Sequence, residues 1–255
     1  MTQLIINTLR AEGYAVQENI LNPRDCEKMA EALDGFEQGH RGGPDMSCSE
    51  SQVTIFNAHL LLPDLFLNKI DLSPVMDVVG QVLKDSFILS NFNASRSGSA
   101  GGVRVHIDSR VPMVDFENTL QIVAMLCLDD FRSDNGATRI WPKSHLSGID
   151  PRSQRGKEIP GWISPEAKKG SVIYVLGQTW HDIGANSVNQ RRWGIIAYYS
   201  RWWIKPTFDF TRCGENIYNR LTERQKSLLG FNSRPPLPHQ KRVTTLTSVS
   251  ELPQN

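Results

Sequence analysis

Apolar and polar positions divide the chain into two regimes. Through the first third, apolar residues recur at helical spacing. Asn22-Pro23 suits an N-cap followed by a proline in the first turn, Met29, Ala30 and Leu33 line one face, and Gly35 is the expected stop. Ser73-Pro74 repeats the start signal ahead of Val75, Val78, Val79 and Val82. Between these helices, His40 to Asn57 is rich in Gly, Ser and polar residues without a period. It reads as either a substrate-covering loop or an irregular connection.

From Phe87 the pattern changes to short runs rich in β-branched and aromatic residues: FILSNFN, VRVHI, LQIVAMLCLDD, TRIWP, SVIYVL, TWHDIGA and RWGIIAYYSRWW, punctuated by Gly, Asp, Asn or Pro. No long amphipathic helix separates them, which disfavours a parallel βαβ sheet. Seven or eight strands in this order predict an antiparallel sandwich or barrel braced by the N-terminal helices. Trp202 and Trp203 are expected to pack at the barrel end. Thr222 and Gln225 form a capping-box pattern for a short helix ending at Gly230, and a Pro- and Ser/Thr-rich tail follows. One domain is expected, with helical support over about residues 1–86, a β core over about 87–204, and a C-terminal helix and tail over about 205–255.

Composition narrows the function classes. The formal net charge of +1 and the absence of like-charge blocks give no hint of nucleic acid or an anionic membrane surface, and no apolar run is long enough to span a bilayer. The polar N-terminus lacks signal-peptide character. Cys26, Cys48, Cys127 and Cys213 are scattered, so a reducing cytoplasm is the simplest location. Nothing in the sequence sets an oligomeric state.

Two features carry chemistry. VRVHID places His106 and Asp108 two residues apart, and on a strand such side chains share a face and can converge on one ion. His181 follows 75 residues later in another strand-like run, where antiparallel folding can return it to the first pair. Two histidines and one carboxylate form a facial triad that leaves positions open for a co-substrate and dioxygen. Zinc accepts similar ligands, but Arg192, eleven residues beyond His181, points to iron. Its planar fork could hold the distal carboxylate of a keto acid that chelates the metal, while the adjacent Arg191 is sent outward by alternation. The HxD pair alone is weak evidence, because a lone strand histidine is usually a packed core residue.

The ordered combination of HID at 106–108, LDDFRSDNGATRIWPKSH over 128–145, HDIGAN at 181–186 and Arg192 resembles the phytanoyl-CoA dioxygenase family. LTERQKSLLGF is a weaker match. The resemblance covers about residues 80 to 232. It implies a double-stranded β-helix (jelly-roll, cupin-like) core, mainly β with N-terminal helices. It also implies Fe(II), 2-oxoglutarate and dioxygen as requirements, with succinate and carbon dioxide as products. Carried over residue by residue, His106, Asp108 and His181 become the metal ligands and Arg192 the 2-oxoglutarate anchor. Halogenating relatives carry Gly or Ala at the position of Asp108, so its carboxylate favours hydroxylation or a related hydrogen-abstraction outcome such as desaturation, epimerisation or ring formation. Lys143 stands where the family commonly has Gly, which puts a turn in question rather than the metal. His145 next to it reads as a structural residue, since the triad is already filled.

Secondary positions follow from strand alternation. Asn93, with Thr138 behind it, is the preferred contact for the 2-oxoglutarate carboxylate, and Asn91, Gln121 and the less persuasive Ser187 are further choices. Arg104 shares the metal-facing side with His106 and is the candidate for an acidic group on the substrate, or for pairing with Asp115 or Glu117. Arg96 and Arg110 are surface cations with the same two readings, and Ser97–Gly102 reads as a flexible rim, since no Lys-Ser/Thr or helix follows to make a phosphate loop. The expected substrate is a small organic molecule, such as a secondary metabolite or amino-acid derivative. Two alternatives stay open: a cupin-like metalloprotein without 2-oxoglutarate chemistry, and a catalytically silent ligand-binding barrel.

Overall fold

The computed structural model describes residues 1–84, 86–101, 105–154 and 157–234. In chain order the elements are α1 (Thr2–Glu12), β1 (Tyr14–Gln17), α2 (Pro23–His40), β2 (Met46–Cys48), β3 (Gln52–Ile55), α3 (Ala58–Leu61), α4 (Pro63–Phe66) and α5 (Ser73–Leu83). These are followed by β4 (Phe87–Ser97), β5 (Gln121–Cys127), β6 (Arg139–Ile140), β7 (Val172–Leu176), β8 (His181–Asp182), β9 (Trp193–Arg201), α6 (Glu215–Tyr218) and α7 (Glu223–Leu228). A seven-stranded antiparallel sheet has the order β1-β7-β5-β9-β4-β3-β2, and a two-stranded ribbon pairs β6 with β8. Together they make the jelly roll expected from the resemblance.

Alternation along the large sheet separates two cores. Ile122, Ala124, Leu126, Tyr174, Ile195, Ala197 and Tyr199 face the helices and pack with Leu9, Leu33, Val78 and Val79. The opposite face carries Val123, Met125, Cys127, Ile173 and Val175, which enclose a smaller interior with Phe131, Ala137 and Ile140 of the ribbon side. The helices thus cover one face of the sheet and leave the other for the site. Among the described residues no helix is long and apolar enough to cross a membrane, and all four cysteines are free.

Several local expectations are corrected. Gly35 does not end α2, which runs on to His40. The stretch to Asn57 is not irregular, because β2 and β3 form a hairpin that extends the sheet beside β4. With β1, these strands of three or four residues are too short for alternation to register, so part of the sheet lay hidden in a region that reads as helical. Asn22 caps α2 through its side chain, whereas Ser73 lies just inside α5 and makes no side-chain cap. Trp202 and Trp203 are 49% and 58% exposed in a turn after β9, so they do not pack at the barrel end. Gly102 lies outside the described residues, and residues 97–101 are not a loose rim: Ser97 is buried in β4, and a Cβ on Gly98 or Gly101 would collide with the backbone of Glu50 or Ala185. The capping box of Thr222 and Gln225 is present, and Gly230 adopts a left-handed conformation just beyond α7. The C-terminal tail lies outside the described residues.

His59 is fully buried against the edges of Phe92 and Phe210, and neither ring nitrogen has a partner. Burial pulls its pKa from 6.5 to about 3, so the fold holds a neutral ring that the unfolded chain protonates more readily. Stability present above about pH 6.5 is therefore lost as pH falls toward about 3. Thermal melts from neutral to acid pH should show this limb in the native chain and a flatter one in His59→Leu. Gly35 has open space where a Cβ would sit, so Gly35→Ala should raise stability by roughly 0.5–1 kcal/mol in denaturant titration. A loss would mean that α2 stops at Gly35 after all.

Candidate active site

His106 and His181 meet as an isolated antiparallel bridge. Their backbones exchange N–H···O bonds of 3.0 and 3.1 Å, and their ring centroids lie 4.3 Å apart. Asp108, two residues on, points to the same place. His106 Nε2 is 3.6 Å from Asp108 Oδ1, and His181 Nε2 is 3.3 Å from Asp108 Oδ2. The three ligand atoms lie within 4.8 Å of one another. His181 Nδ1 donates to Thr179 O at 2.9 Å, which leaves Nε2 as an unprotonated acceptor. That lone pair faces Asp108 Oδ2, a buried oxygen with no hydrogen-bond donor. Two acceptors held this close repel unless a cation sits between them, so the donor set fits a divalent ion. Burial lowers the His181 pKa, which keeps the ring in its neutral, ligating form. Beside His181, Arg139 clamps the buried Asp182 through Nε at 2.7 Å and through Nη2, tying β6 to β8.

Arg192 stands on the interior face, one residue before the start of β9, and is 4% exposed. Its Nη2 donates to Ser97 Oγ and Gly136 O, its guanidinium lies 4.5 Å over the Phe131 ring, and its Nε has no partner. Among the described residues no carboxylate pairs with it, and burial drags its pKa down to about 10. Arg191 behaves oppositely. It faces α2 and forms ion pairs with Glu27, Asp34 and Asp129, as alternation predicts. An interior cation without a counter-ion leaves a position for an anionic ligand.

Strand register orders the interior away from Arg192. Beyond Gly194, Ser95 and Cys127 come Ile196, Asn93 and Met125, then Tyr198, Asn91 and Val123, then Ser200 and Gln121. Thr138 joins the level of Asn93 by donating to Met125 Sδ at 3.4 Å, and Asn93 Oδ1 accepts from Asn57 N at 3.1 Å. Asn91 and Gln121 line a cavity of about 710 Å³ together with His106, Asp108 and Tyr198. Asn91 Oδ1 is buried without a partner. Burial, and then the nearby Asp108 charge, raise the Tyr198 phenol pKa well above its ordinary value. Ser187 turns away and donates to Asp134 O. Arg104 lies outside the described residues. Glu117, one partner considered for it, pairs with Arg10 and Lys84. Arg96 is not a loose surface cation, because it makes a two-pronged pair with Glu37. His145 is a structural residue, buried with Nε2 on Arg10 O at 3.1 Å, and Lys143 keeps the left-handed turn at φ 65°.

Sequence reasoning passed over Tyr198, although its even spacing from Arg192 puts it on the same strand face. Of the two groups that hold Arg192, Gly136 falls in the Asn-Gly pair of the 128–145 segment, whereas Ser97 carries no local signal. Neither does the segment Ile204–Thr207, which lines the cavity only because the chain turns back across β4.

Comparison with known proteins bears on the family and the fold. A dioxygenase of Talaromyces verruculosus, cdmA, is 27% identical over 115 residues, a segment that makes up 45% of this chain and 38% of that protein. An uncharacterized Mycobacterium tuberculosis protein is 22% identical over 241 residues, covering 89% of this chain and 86% of its own. Among solved structures, the non-heme α-ketoglutarate-dependent epimerase SnoN from nogalamycin biosynthesis superposes with a TM-score of 0.64 at 15% identity, covering 81% of this chain and 86% of that one. HygX from Streptomyces hygroscopicus, with nickel and 2-oxoglutarate bound, gives 0.63 at 13% identity, covering 81% and 89%. These two likenesses establish the fold. The family model for phytanoyl-CoA dioxygenase (PhyH) matches residues 9–194, and the chain belongs to that family of Fe(II)- and 2-oxoglutarate-dependent dioxygenases.

Proposed function

We propose that this chain oxidises a C–H bond of a small organic molecule, with His106, Asp108 and His181 holding Fe(II) and Arg192 holding 2-oxoglutarate. The observation that carries this reading is the pairing of two features on one interior: three converging ligand atoms and a buried arginine without a counter-ion. When bound, iron and 2-oxoglutarate together supply the oxidant that abstracts hydrogen, with dioxygen consumed and succinate and carbon dioxide released. The protein's share is placement and exclusion of water. Arg192 fixes the distal carboxylate by charge-assisted hydrogen bonds, and Ser97 and Gly136 fix Arg192. Asn93 and Thr138, at the level between Arg192 and the cavity, are placed to contact the body of the co-substrate. Gln121 lies farther from Arg192, on the cavity wall, and suits the primary substrate better than 2-oxoglutarate. Hydroxylation, desaturation, epimerisation and cyclisation all begin with the same hydrogen abstraction, and the placement of the target carbon selects among them.

Protein supplied with Fe(II), ascorbate and 2-oxoglutarate should release succinate. His106→Ala and Asp108→Ala should each lower that turnover at least about a hundredfold, in line with loss of a metal ligand or its support; retained turnover would remove the triad from the chemistry. Arg192→Gln should raise the KM for 2-oxoglutarate by roughly tenfold or more, the equivalent of one charged hydrogen bond. An unchanged KM would favour the cupin-like reading, in which Arg192 is structural. Gly136 has φ +89° and a Cβ there would strike the Ser97 side chain. Gly136→Ala should therefore destabilise the fold by about 1–3 kcal/mol and weaken 2-oxoglutarate binding in the same titration.

A further inference from the structure

The cavity beside the triad carries two cations that neither iron nor 2-oxoglutarate uses. Arg110 and Lys205 both line it, from separate turns, and both are exposed. Asp108, assigned above to the metal, is the sole carboxylate among the lining residues. Among the described residues neither cation forms an ion pair, although Arg10 and Lys84 nearby both reach Glu117.

Both turns are pinned. Ser109 N donates to Gly177 O at 2.9 Å, and Ser109 Oγ to Val111 O at 2.7 Å, which bracket Arg110 in a left-handed conformation at φ +58°. A non-glycine residue held there is strained, and such residues concentrate at binding sites. On the other side, Ile204 N donates to Arg201 O at 2.9 Å and Thr207 N to Ser90 Oγ at 2.9 Å, fixing the segment that carries Lys205. Both turns therefore have fixed backbones, and from them the two side chains line the cavity at the end remote from Arg192. Deeper in the same cavity, Asn91 is 8% exposed and its Oδ1 lacks a donor. A ligand hydroxyl or N–H would satisfy that oxygen.

We propose that the primary substrate is a small organic anion. Its carboxylate or phosphate lies between Arg110 and Lys205, and a hydroxyl or N–H group beside the reacting carbon donates to Asn91 Oδ1. The proposal rests on the oxygenase reading of the site and names its substrate class. A cavity of about 710 Å³ accommodates a molecule of metabolite size.

The probes are small carboxylic acids, each matched with its methyl ester, and phosphate monoesters, each matched with its neutral dimethyl triester. Binding is read first on the protein without iron or 2-oxoglutarate, by fluorescence of the exposed Trp202 and Trp203, which precede Ile204 directly. Succinate release by the loaded enzyme is then measured with the same pairs. At least one acid should bind and stimulate succinate release, its ester should bind about tenfold or more weakly, and Arg110→Gln with Lys205→Gln should remove the difference. For that acid the double variant should raise KM with little change in kcat, and Arg110→Lys should recover part of the loss. Carboxylates responding without phosphates, or the reverse, identifies the anionic group. Equal response to acids and esters, no response to any acid, or a double variant that binds like the native chain would overturn the proposal. Failure of the oxygenase reading would appear separately, as absent succinate formation alongside an intact preference for anions in the binding arm.

Discussion

The site depends on one backbone pairing, the bridge between His106 and His181. Two reciprocal hydrogen bonds join residues 75 positions apart and put both imidazoles on the inner side of the ribbon. Asp108, two residues on in a bend, comes to the same point. The bond from His181 Nδ1 to Thr179 O removes the proton from the nitrogen that faces Asp108. What would otherwise be repulsion between acceptors becomes a binding site for a cation. Arg139 and Asp182 lock the neighbouring pair of the ribbon, so the ring of His181 is held from two sides.

A second constraint acts from the opposite end of the interior. Arg192 is placed where a guanidinium is poorly solvated, and its partners are a hydroxyl, a carbonyl and an aromatic face rather than a carboxylate. Burying a charge without a counter-charge is unfavourable, and the remainder of the fold must offset it. The adjacent Arg191 shows what the chain does with an arginine meant for stability, surrounding it with Glu27, Asp34 and Asp129. The contrast between these neighbours separates a ligand-holding arginine from a structural one more clearly than either residue does alone.

Much of this was legible from the chain. Period-two spacing placed His106 with Asp108 and sent Arg191 and Arg192 to opposite faces, and long strands such as β4, β5 and β9 carry enough residues for alternation to declare itself. Short strands do not, so β1, β2 and β3 read as helical or irregular surroundings. The ranking of Asn93 over Asn91 could not weigh what the fold decides: Asn93 Oδ1 is engaged by Asn57 N, while Asn91 Oδ1 is left open to the cavity. Trp202 and Trp203 misled because aromatic residues usually mark cores, and nothing local reveals that β9 ends before them. Arg110 lies two residues from Asp108 in the chain, whereas Lys205 becomes a neighbour of the triad only through tertiary folding.

The central claim is that the triad and Arg192 act on one ligand together. An anaerobic titration of the Fe(II)-loaded protein with 2-oxoglutarate tests it most directly. A keto acid chelated to iron through its carboxylate and keto oxygens should produce a visible charge-transfer absorption that neither iron nor 2-oxoglutarate gives alone. The account predicts that this absorption appears with one equivalent of iron and needs a markedly higher 2-oxoglutarate concentration in Arg192→Gln. No absorption at saturating 2-oxoglutarate, or an identical titration in that variant, would contradict it.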